Sequence, residues 1–232
     1  MISRRVCIAF YSFVLVLVSS SVAGNAATLG VSADESVTGG GSADTNWGSD
    51  GEYRGGLWTG CDYVDDEDNP ARFYLKFELP SYDAGTYISS ATLWGYYSDD
   101  YDSSVSQTHS FYLGASDAWT EAAITFNNQP GWTGSAIAQF DASTGGPPRW
   151  VSFDITSAFD GAYQGDGVLT LMMKADDETL NSGNWEYFAD RTYDDDTKGF
   201  YVDYTTAPGL PAFALVGAVP LVGGLVRKLR KR

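Results

Sequence analysis

The sequence predicts an all-β protein, an antiparallel β-sandwich of jelly-roll or Greek-key topology. Between residues 27 and 206, apolar and polar side chains alternate with a period of two in short segments, which is typical of half-buried strands. Glycine, aspartate, asparagine and serine separate the segments, and no long helical period appears. Because each such strand has one apolar face, a second layer of sheet must cover that face.

Six segments carry the alternation. In RFYLKFELP, the side chains of Phe73, Leu75, Phe77 and Leu79 share one predicted face, and the residues between them share the other. The same period recurs in SATLWGYY at 90–97, HSFYLGA at 109–115, RWVSFDI at 149–155, VLTLMMK at 168–174 and GFYVDYT at 199–205. One short helix is predicted within TSAFDGAYQGDG, residues 156–167.

Residues 1–26 have the layout of a secretory signal peptide. Two arginines precede an apolar run at residues 6–18, and small residues follow the run, as in secreted proteins. We expect cleavage after Ala23 or Ala26. The alternative is that the run stays in the membrane as an uncleaved anchor.

Residues 207–232 contain an uncharged stretch, 210–226, that precedes five basic residues. As a helix the stretch would reach roughly 26 Å, at the short limit for a bilayer core, and basic residues beside a span stay in the cytoplasm. The pattern predicts a C-terminal transmembrane helix with a cytoplasmic tail, which places the ectodomain, residues 27–206, on the extracellular face. The alternative is a buried apolar helix with a solvated basic end.

The C-terminal segment also resembles a sorting signal. A Pro-Gly-Leu-Pro sequence at 208–211, an apolar span and a basic cluster follow one another, as in the substrates of exosortases and archaeosortases. This resemblance implies that a sorting transpeptidase recognises the tail and removes it. A plain one-span membrane anchor is the alternative.

The ectodomain is strongly acidic. Seven basic residues against thirty acidic ones leave it a formal charge of −23, whereas the whole chain carries −16. Such a field repels phosphate backbones and argues against nucleic acid as a partner. Only Cys61 of the two cysteines lies in the ectodomain, so no intrachain disulfide is expected.

Six motifs follow one another in a recognisable order: SADTNWGSDGEYRGGL, RFYLKFELP, ISSATLWGYY, WTEAAITFNNQPGW, RWVSFDITSAF and GFYVDYT. In this order they resemble the DNRLRE-domain group, also described as carbohydrate-binding module family 96 and akin to the disaggregatase-related repeats of surface proteins. The matching positions are residues 44–48, 74–77, 90–93, 119, 121, 124–130 and 153–156. The resemblance implies a β-sandwich that binds carbohydrate or builds extracellular matrix, without a catalytic centre.

We expect a structural role for the segment WTEAAITFNNQPGW, residues 119–132. Ile124 and Phe126 are predicted to point into the sandwich, and Pro130 to end a strand because it cannot donate to the ladder. Trp119 and Glu121 are predicted to anchor the preceding loop. A turn is predicted to be hydrogen-bonded by Asn127, Asn128 and Gln129. A structural role is also predicted for Asp154 in the FDIT motif. Direct ligand contact is the alternative.

A sugar-binding face needs exposed flat aromatic rings beside polar groups. The candidates are Arg54, Trp58, Tyr74, Lys76, Trp94 and Tyr96, on the predicted outward faces of neighbouring strands. The alternative is that these aromatic side chains only cover the sheet by cross-strand pairing.

No cofactor is predicted to be required, although one loop offers a candidate site for a structural calcium ion. Calcium prefers clustered carboxylate and carbonyl oxygens, and the loop DTNWGSDGE supplies Asp44, Asn46, Asp50 and Glu52. A solvated acidic loop is the alternative.

The sequence predicts a binding protein and not an enzyme. His109 is the only histidine, and no Gly-x-Ser-x-Gly motif is present, so a serine or cysteine nucleophile lacks its base. We therefore expect a carbohydrate-binding or adhesive surface module whose partner is a polysaccharide or cell-envelope glycan. The alternatives are a structural envelope or matrix subunit and a small polysaccharide lyase or glycosidase with paired carboxylates.

Overall fold

Antiparallel strands form most of the computed structural model. The structure describes residues 24–50, 56–64, 67–81, 83–100, 106–142, 147–179, 184–192 and 197–209. The predicted signal peptide, apart from its last three residues, and the predicted C-terminal span lie outside this part of the chain. Within the described residues, no helix has the length and hydropathy to cross a membrane.

The described residues contain eleven strands and two α-helices. The strands are β1 (Asn25–Gly30), β2 (Ala33–Thr38), β3 (Leu57–Val64), β4 (Glu67–Glu78), β5 (Thr86–Asp100), β6 (Gln107–Gly114), β7 (Trp132–Ala142), β8 (Arg149–Asp154), β9 (Val168–Ala175), β10 (Asn184–Phe188) and β11 (Tyr201–Pro208). The helices are α1 (Trp47–Asp50) and α2 (Thr156–Gln164). The predicted short helix is thus confirmed as α2.

One curled sheet contains all the strands, in the order β1-β11-β5-β10-β3-β4-β9-β6-β7. Strand β2 pairs with β4, and β8 pairs with β5. The pairings between these strands are antiparallel. Because the sheet curls over, the β1-β11-β5-β8 part faces the β2-β4-β9-β6-β7 part across one core, and the predicted all-β antiparallel fold is confirmed.

The main core lies between these two parts of the sheet. Phe73 and Phe111 from one part contact Phe200 and Phe153 from the other, with ring centroids 5.6 Å apart for Phe73–Phe200 and 4.9 Å apart for Phe111–Phe153. Helix α2 closes the core with Phe159. The apolar faces predicted from the two-residue period all belong to this core or pack against it.

A second, smaller cluster covers the opposite face of β4 and β9. It consists of Val37, Tyr74, Trp119, Ile124 and Met172. The loop at residues 115–131 lies over this face, so Tyr74 is fully buried. The prediction that this side of β4 faces solvent is therefore wrong at Tyr74. The prediction that Ile124 points into the main core is also wrong, because Ile124 packs in this second cluster.

The loop at 115–131 consists of turns, and no strand lies within it. The prediction that Pro130 ends a strand is therefore wrong, because Pro130 instead precedes the start of β7. The amide of Asn128 bonds the loop to itself, accepting from the N–H of Thr125 at 2.7 Å and donating to the carbonyl of Ala123 at 2.8 Å. Gln129 donates to the carbonyl of Phe126 at 2.7 Å.

Asp154 occupies the junction between β8 and α2. Its Oδ1 accepts hydrogen bonds from the backbone N–H of Thr156 at 2.9 Å and from the Thr156 hydroxyl at 2.7 Å. These bonds satisfy a donor in the first turn of α2, which has no partner within the helix. They also lower the pKa of Asp154.

Candidate functional site

Four aromatic side chains lie together on the outer face of β5, β8 and β11. Trp94 and Tyr201 are cross-strand partners with centroids 6.4 Å apart, and Trp150 lies 5.5 Å from Tyr201 and 5.4 Å from Tyr96. We call Trp94, Tyr96, Trp150 and Tyr201 the aromatic face. It covers three adjacent strands of the sheet.

The alternation of the strands places these rings on the outside. In β5, Ala91 and Leu93 are buried in the main core, so Trp94 and Tyr96 point to the other side. In β8, Phe153 points inward, which leaves Trp150 on the outer side with 39% of its surface exposed. Aromatic rings on an accessible sheet surface can stack on the C–H faces of sugar rings.

Polar groups surround the aromatic face. The Lys198 Nζ lies 4.6 Å from the ring centroid of Tyr96. Asp203 and Ser152 follow on the same outer sides of β11 and β8, and both are exposed. Donors and acceptors of this kind can hydrogen-bond the hydroxyl groups of a ligand that lies across the rings.

A pocket of about 310 Å³ lies elsewhere on the molecule. Its wall combines two tryptophans with a group of charged side chains: Trp47, Trp58, Asp34, Glu35, Glu121, Asp190 and Arg191. The rings of Trp47 and Trp58 meet edge to face, with centroids 5.9 Å apart. We call this the acidic pocket.

Arg191 neutralises part of the acidic pocket. Its guanidinium donates to both carboxylate oxygens of Glu121, at 2.9 and 2.5 Å, and its Nε lies 3.4 Å from Asp34 Oδ1. The backbone N–H of Arg191 also donates to Asp34 Oδ2 at 2.8 Å. The Glu121 carboxylate also accepts the backbone N–H of Asp34 at 2.8 Å.

Burial changes the ionisation of two acids in the pocket. It raises the pKa of Asp34 to about 7, although the N–H of Arg191 acts in the opposite direction. It raises the pKa of Glu35 to about 8, and the negative charges of Asp34, Glu121 and Asp190 add to the effect. The pocket therefore holds protons that ordinary carboxyl groups release well below neutral pH.

The six candidate sugar-binding residues lie in different places. Trp94 and Tyr96 belong to the aromatic face. Tyr74 is buried under the loop at 115–131, where its hydroxyl bonds Gln129 Oε1 at 2.8 Å, so the structure contradicts its predicted role as an exposed ring. Lys76 bonds the carbonyl of Trp119 under the same loop.

Trp58 is also largely buried, with 5% of its surface exposed. It contributes to the wall of the acidic pocket and not to an open face, which corrects the prediction of an exposed stacking ring. Arg54 lies outside the described residues. Strand alternation predicted that the six candidates lie on the outward faces of neighbouring strands. Of the five that the structure describes, Trp94 and Tyr96 lie together on the aromatic face, whereas Tyr74 and Lys76 lie under the loop at 115–131.

The predicted calcium loop has other contacts in the described residues. Asn46 Nδ2 donates to the carbonyls of Glu121 and Ile124 at 2.6 and 2.7 Å, and Asp44 accepts from Asn127 at 2.7 Å. The Asp50 side chain and Glu52 lie outside the described residues. Among the residues described, no three acidic, histidine or cysteine side chains are grouped as metal ligands.

Sequence reasoning missed the other half of the aromatic face and the acids of the pocket. Trp150 and Tyr201 occupy outward positions of segments whose period was recognised, so the alternation itself could have identified them. Asp34 and Glu35 are neighbours in the chain, but Arg191 is 157 residues from Asp34. The long-range hydrogen bond from the Arg191 N–H to Asp34 joins the two segments.

The chain belongs to carbohydrate-binding module family 96, whose profile matches residues 25–195. This confirms the resemblance inferred from the order of the motifs. Among curated proteins, no match is found. Among solved structures, the chain is similar to the K1 cleaved adhesin domain of Lys-gingipain from Porphyromonas gingivalis W83, at 9% identity and a TM-score of 0.28, over 81% of this chain and all of that domain. A likeness this weak carries no functional argument.

Proposed function

We propose that this protein is a non-catalytic carbohydrate-binding module that holds a polysaccharide on its aromatic face. The observation that carries the proposal is the cluster of four aromatic side chains on the outside of β5, β8 and β11. Family membership supports it, because the family is one of carbohydrate-binding modules. An open row of rings suits a chain that runs across the sheet, since sugar residues can stack in succession.

We also propose that the module acts at the cell surface. The support comes from the ends of the chain, where an N-terminal apolar run follows two arginines and a C-terminal apolar run precedes five basic residues. Such ends export a domain and hold it at the membrane. In this proposal the ectodomain binds envelope or extracellular glycan, and the C-terminal segment acts as the anchor or the sorting signal.

Replacement of one exposed ring tests the sugar-binding role. Trp150→Ala in the full-length protein is expected to weaken binding to its best ligand from a polysaccharide panel by about tenfold or more, because central aromatic side chains dominate binding energy. Trp132→Ala is the matched control, since Trp132 has the same 39% exposure but lies on β7, outside the aromatic face. Affinity electrophoresis or isothermal titration would measure the difference.

Affinity is compared between the two variants, and the melting temperature shows whether each variant is folded. Both tryptophans are exposed, so both variants should keep the melting temperature of the wild-type protein within a few degrees. Equal loss of affinity in both variants, or no loss in Trp150→Ala, would contradict binding at the aromatic face. Release of shortened sugar products would contradict the non-catalytic part of the proposal.

A further inference from the structure

The acidic pocket lies apart from the aromatic face, and none of the four rings of that face belongs to its wall. Its volume, about 310 Å³, is at the small end of the range for ligand sites. A pocket of this size holds one small unit, whereas the aromatic face is open along the sheet. The two surfaces therefore suit different parts of a ligand.

Most of the carboxylate oxygens in the pocket already have partners. Arg191 occupies both oxygens of Glu121, and its side chain and backbone occupy the two oxygens of Asp34. Asp190 Oδ1 accepts from the N–H and hydroxyl of Thr192, at 2.8 and 2.9 Å. These bonds fix the wall of the pocket.

Glu35 is the exception. Only 6% of the surface of Glu35 is exposed. Its Oε1 accepts the N–H of Ser36 at 2.9 Å. The Oε2 atom accepts no hydrogen bond from the described part of the chain. It lies beside Gly48, another residue of the pocket wall, and a Cβ on Gly48 would collide with it. One carboxyl oxygen of a largely buried residue thus lines the pocket with acceptor capacity to spare.

The ring pair Trp47–Trp58 forms the apolar side of the same pocket. The faces of tryptophan rings attract cations and also stack on sugar C–H groups. The pocket thus combines two indoles with a carboxyl oxygen that has no hydrogen-bond partner among the described residues. Three further acidic side chains lie in the same wall against one guanidinium. This combination favours a ligand that carries a positive charge on a compact apolar body.

We propose that the acidic pocket binds the ammonium group of an amino-sugar residue, with Glu35 Oε2 as the acceptor and the indoles against the sugar ring. The proposal rests on the carbohydrate-binding function and adds a charge preference to it. A calcium ion fits less well, because it takes six to eight oxygen ligands and only one carboxylate oxygen of Glu35 is left without a partner. A single ammonium group needs few acceptors.

Binding of a cation in this pocket should release a proton. The carboxyl of Glu35 has its pKa raised to about 8 by burial and by the neighbouring charges of Asp34, Glu121 and Asp190, with Arg191 as the cation on the same wall. An ammonium group beside it favours the ionised form. The heat of binding near pH 7 is therefore expected to depend on the ionisation enthalpy of the buffer, whereas a neutral sugar has no such effect.

Titration of the full-length protein with glucosamine tests the proposal. Glucose and N-acetylglucosamine are the matched ligands, because they keep the ring but lack the positive charge. We expect glucosamine to bind at least about tenfold more tightly than either, as for loss of a charge-assisted hydrogen bond. Glu35→Gln should remove this preference. Glu78→Gln is the control, since it makes the same substitution at an exposed position outside the pocket.

A second variant covers the case in which Glu35→Gln does not fold. Ala122 lines the pocket but is exposed on a turn, so Ala122→Phe should obstruct the pocket without altering any charge, and glucosamine binding should fall. Equal binding of all three sugars, binding of calcium in place of glucosamine, no binding at all, or full binding by both variants would overturn the proposal. Trp150→Ala should leave glucosamine binding intact, which separates this site from the aromatic face.

Discussion

At the scale of single residues, Asn46 holds the loop at 115–131 against the body of the protein. One amide nitrogen donates to two carbonyls, those of Glu121 and Ile124, at 2.6 and 2.7 Å. Hydrogen bonds of this kind stabilise a loop that has no ladder of its own. The same loop buries Tyr74 and Trp119, so the amide of Asn46 acts on a sizeable apolar cluster.

Asn46→Asp is expected to destabilise the protein by about 2–3 kcal/mol, because it removes both donors and sets a carboxylate against two carbonyl oxygens. Asn127→Asp is the control. Among the described residues, the Asn127 side chain donates only to the exposed Asp44, so its replacement should cost about 0.5 kcal/mol. Urea unfolding of the full-length variants, with and without calcium, would measure both. Calcium that restores Asn46→Asp to wild-type stability would instead favour the metal-binding role predicted for this loop.

At the scale of elements, the two-residue period was sufficient to predict which face of six strands packs into the main core. It predicted the inward side chains of β4, β5, β6, β8, β9 and β11, because a strand that crosses one core alternates strictly. It could not predict the cover over the other face of β4. That cover is a loop more than forty residues away in the chain, and the burial of Tyr74 depends on the contact between them and not on local pattern.

Gly95 shows how tightly two elements pack. It lies on the inward face of β5, and a Cβ built there would clash with the ring of Phe200, just before β11. Gly95→Ala is therefore expected to reduce the free energy of unfolding by about 1–3 kcal/mol through overpacking. Gly30→Ala on β1 is the matched control, because a Cβ there has no neighbour within 4 Å, and its effect should stay within about 0.5 kcal/mol. Urea unfolding would measure both, and equal stability of the two variants would contradict this packing.

At the scale of the whole molecule, the strand order of the curled sheet decides which residues meet. Sequence analysis recognised six of the eleven strands in the described residues but could not order them, because strand pairing joins segments that are far apart in the chain. The aromatic face exists because β8 and β11 flank β5. The acidic pocket exists because Arg191, which precedes β11, reaches Asp34 on β2. Neither adjacency has a signal in local sequence.

Buried ionisable groups give the whole fold a predictable dependence on pH. The pKa of Glu35 is raised from 4.5 to about 8 and that of Asp34 from 3.8 to about 7, so their contribution to stability is complete below pH 4 and is lost as the pH rises through 7 and 8. The pKa of the buried His109 is lowered from 6.5 to about 3, so its contribution is complete above pH 6.5 and is lost as the pH falls towards 3. Above pH 6.5 the contribution of His109 is constant and that of the two carboxyls still changes.

Glu35→Gln should therefore reduce the decline in stability between pH 6.5 and 8 by roughly 1–2 kcal/mol. In this range the Glu35 carboxyl is ionised in the unfolded chain but largely protonated in the folded protein, and a neutral amide removes that difference. Glu78→Gln, which makes the same substitution at an exposed position, should leave the decline unchanged. Urea unfolding at half-unit pH steps would measure both curves. An unchanged slope in Glu35→Gln, or the same flattening in both variants, would mean that the decline arises from the general acidity of the ectodomain and not from the carboxyl buried in the pocket.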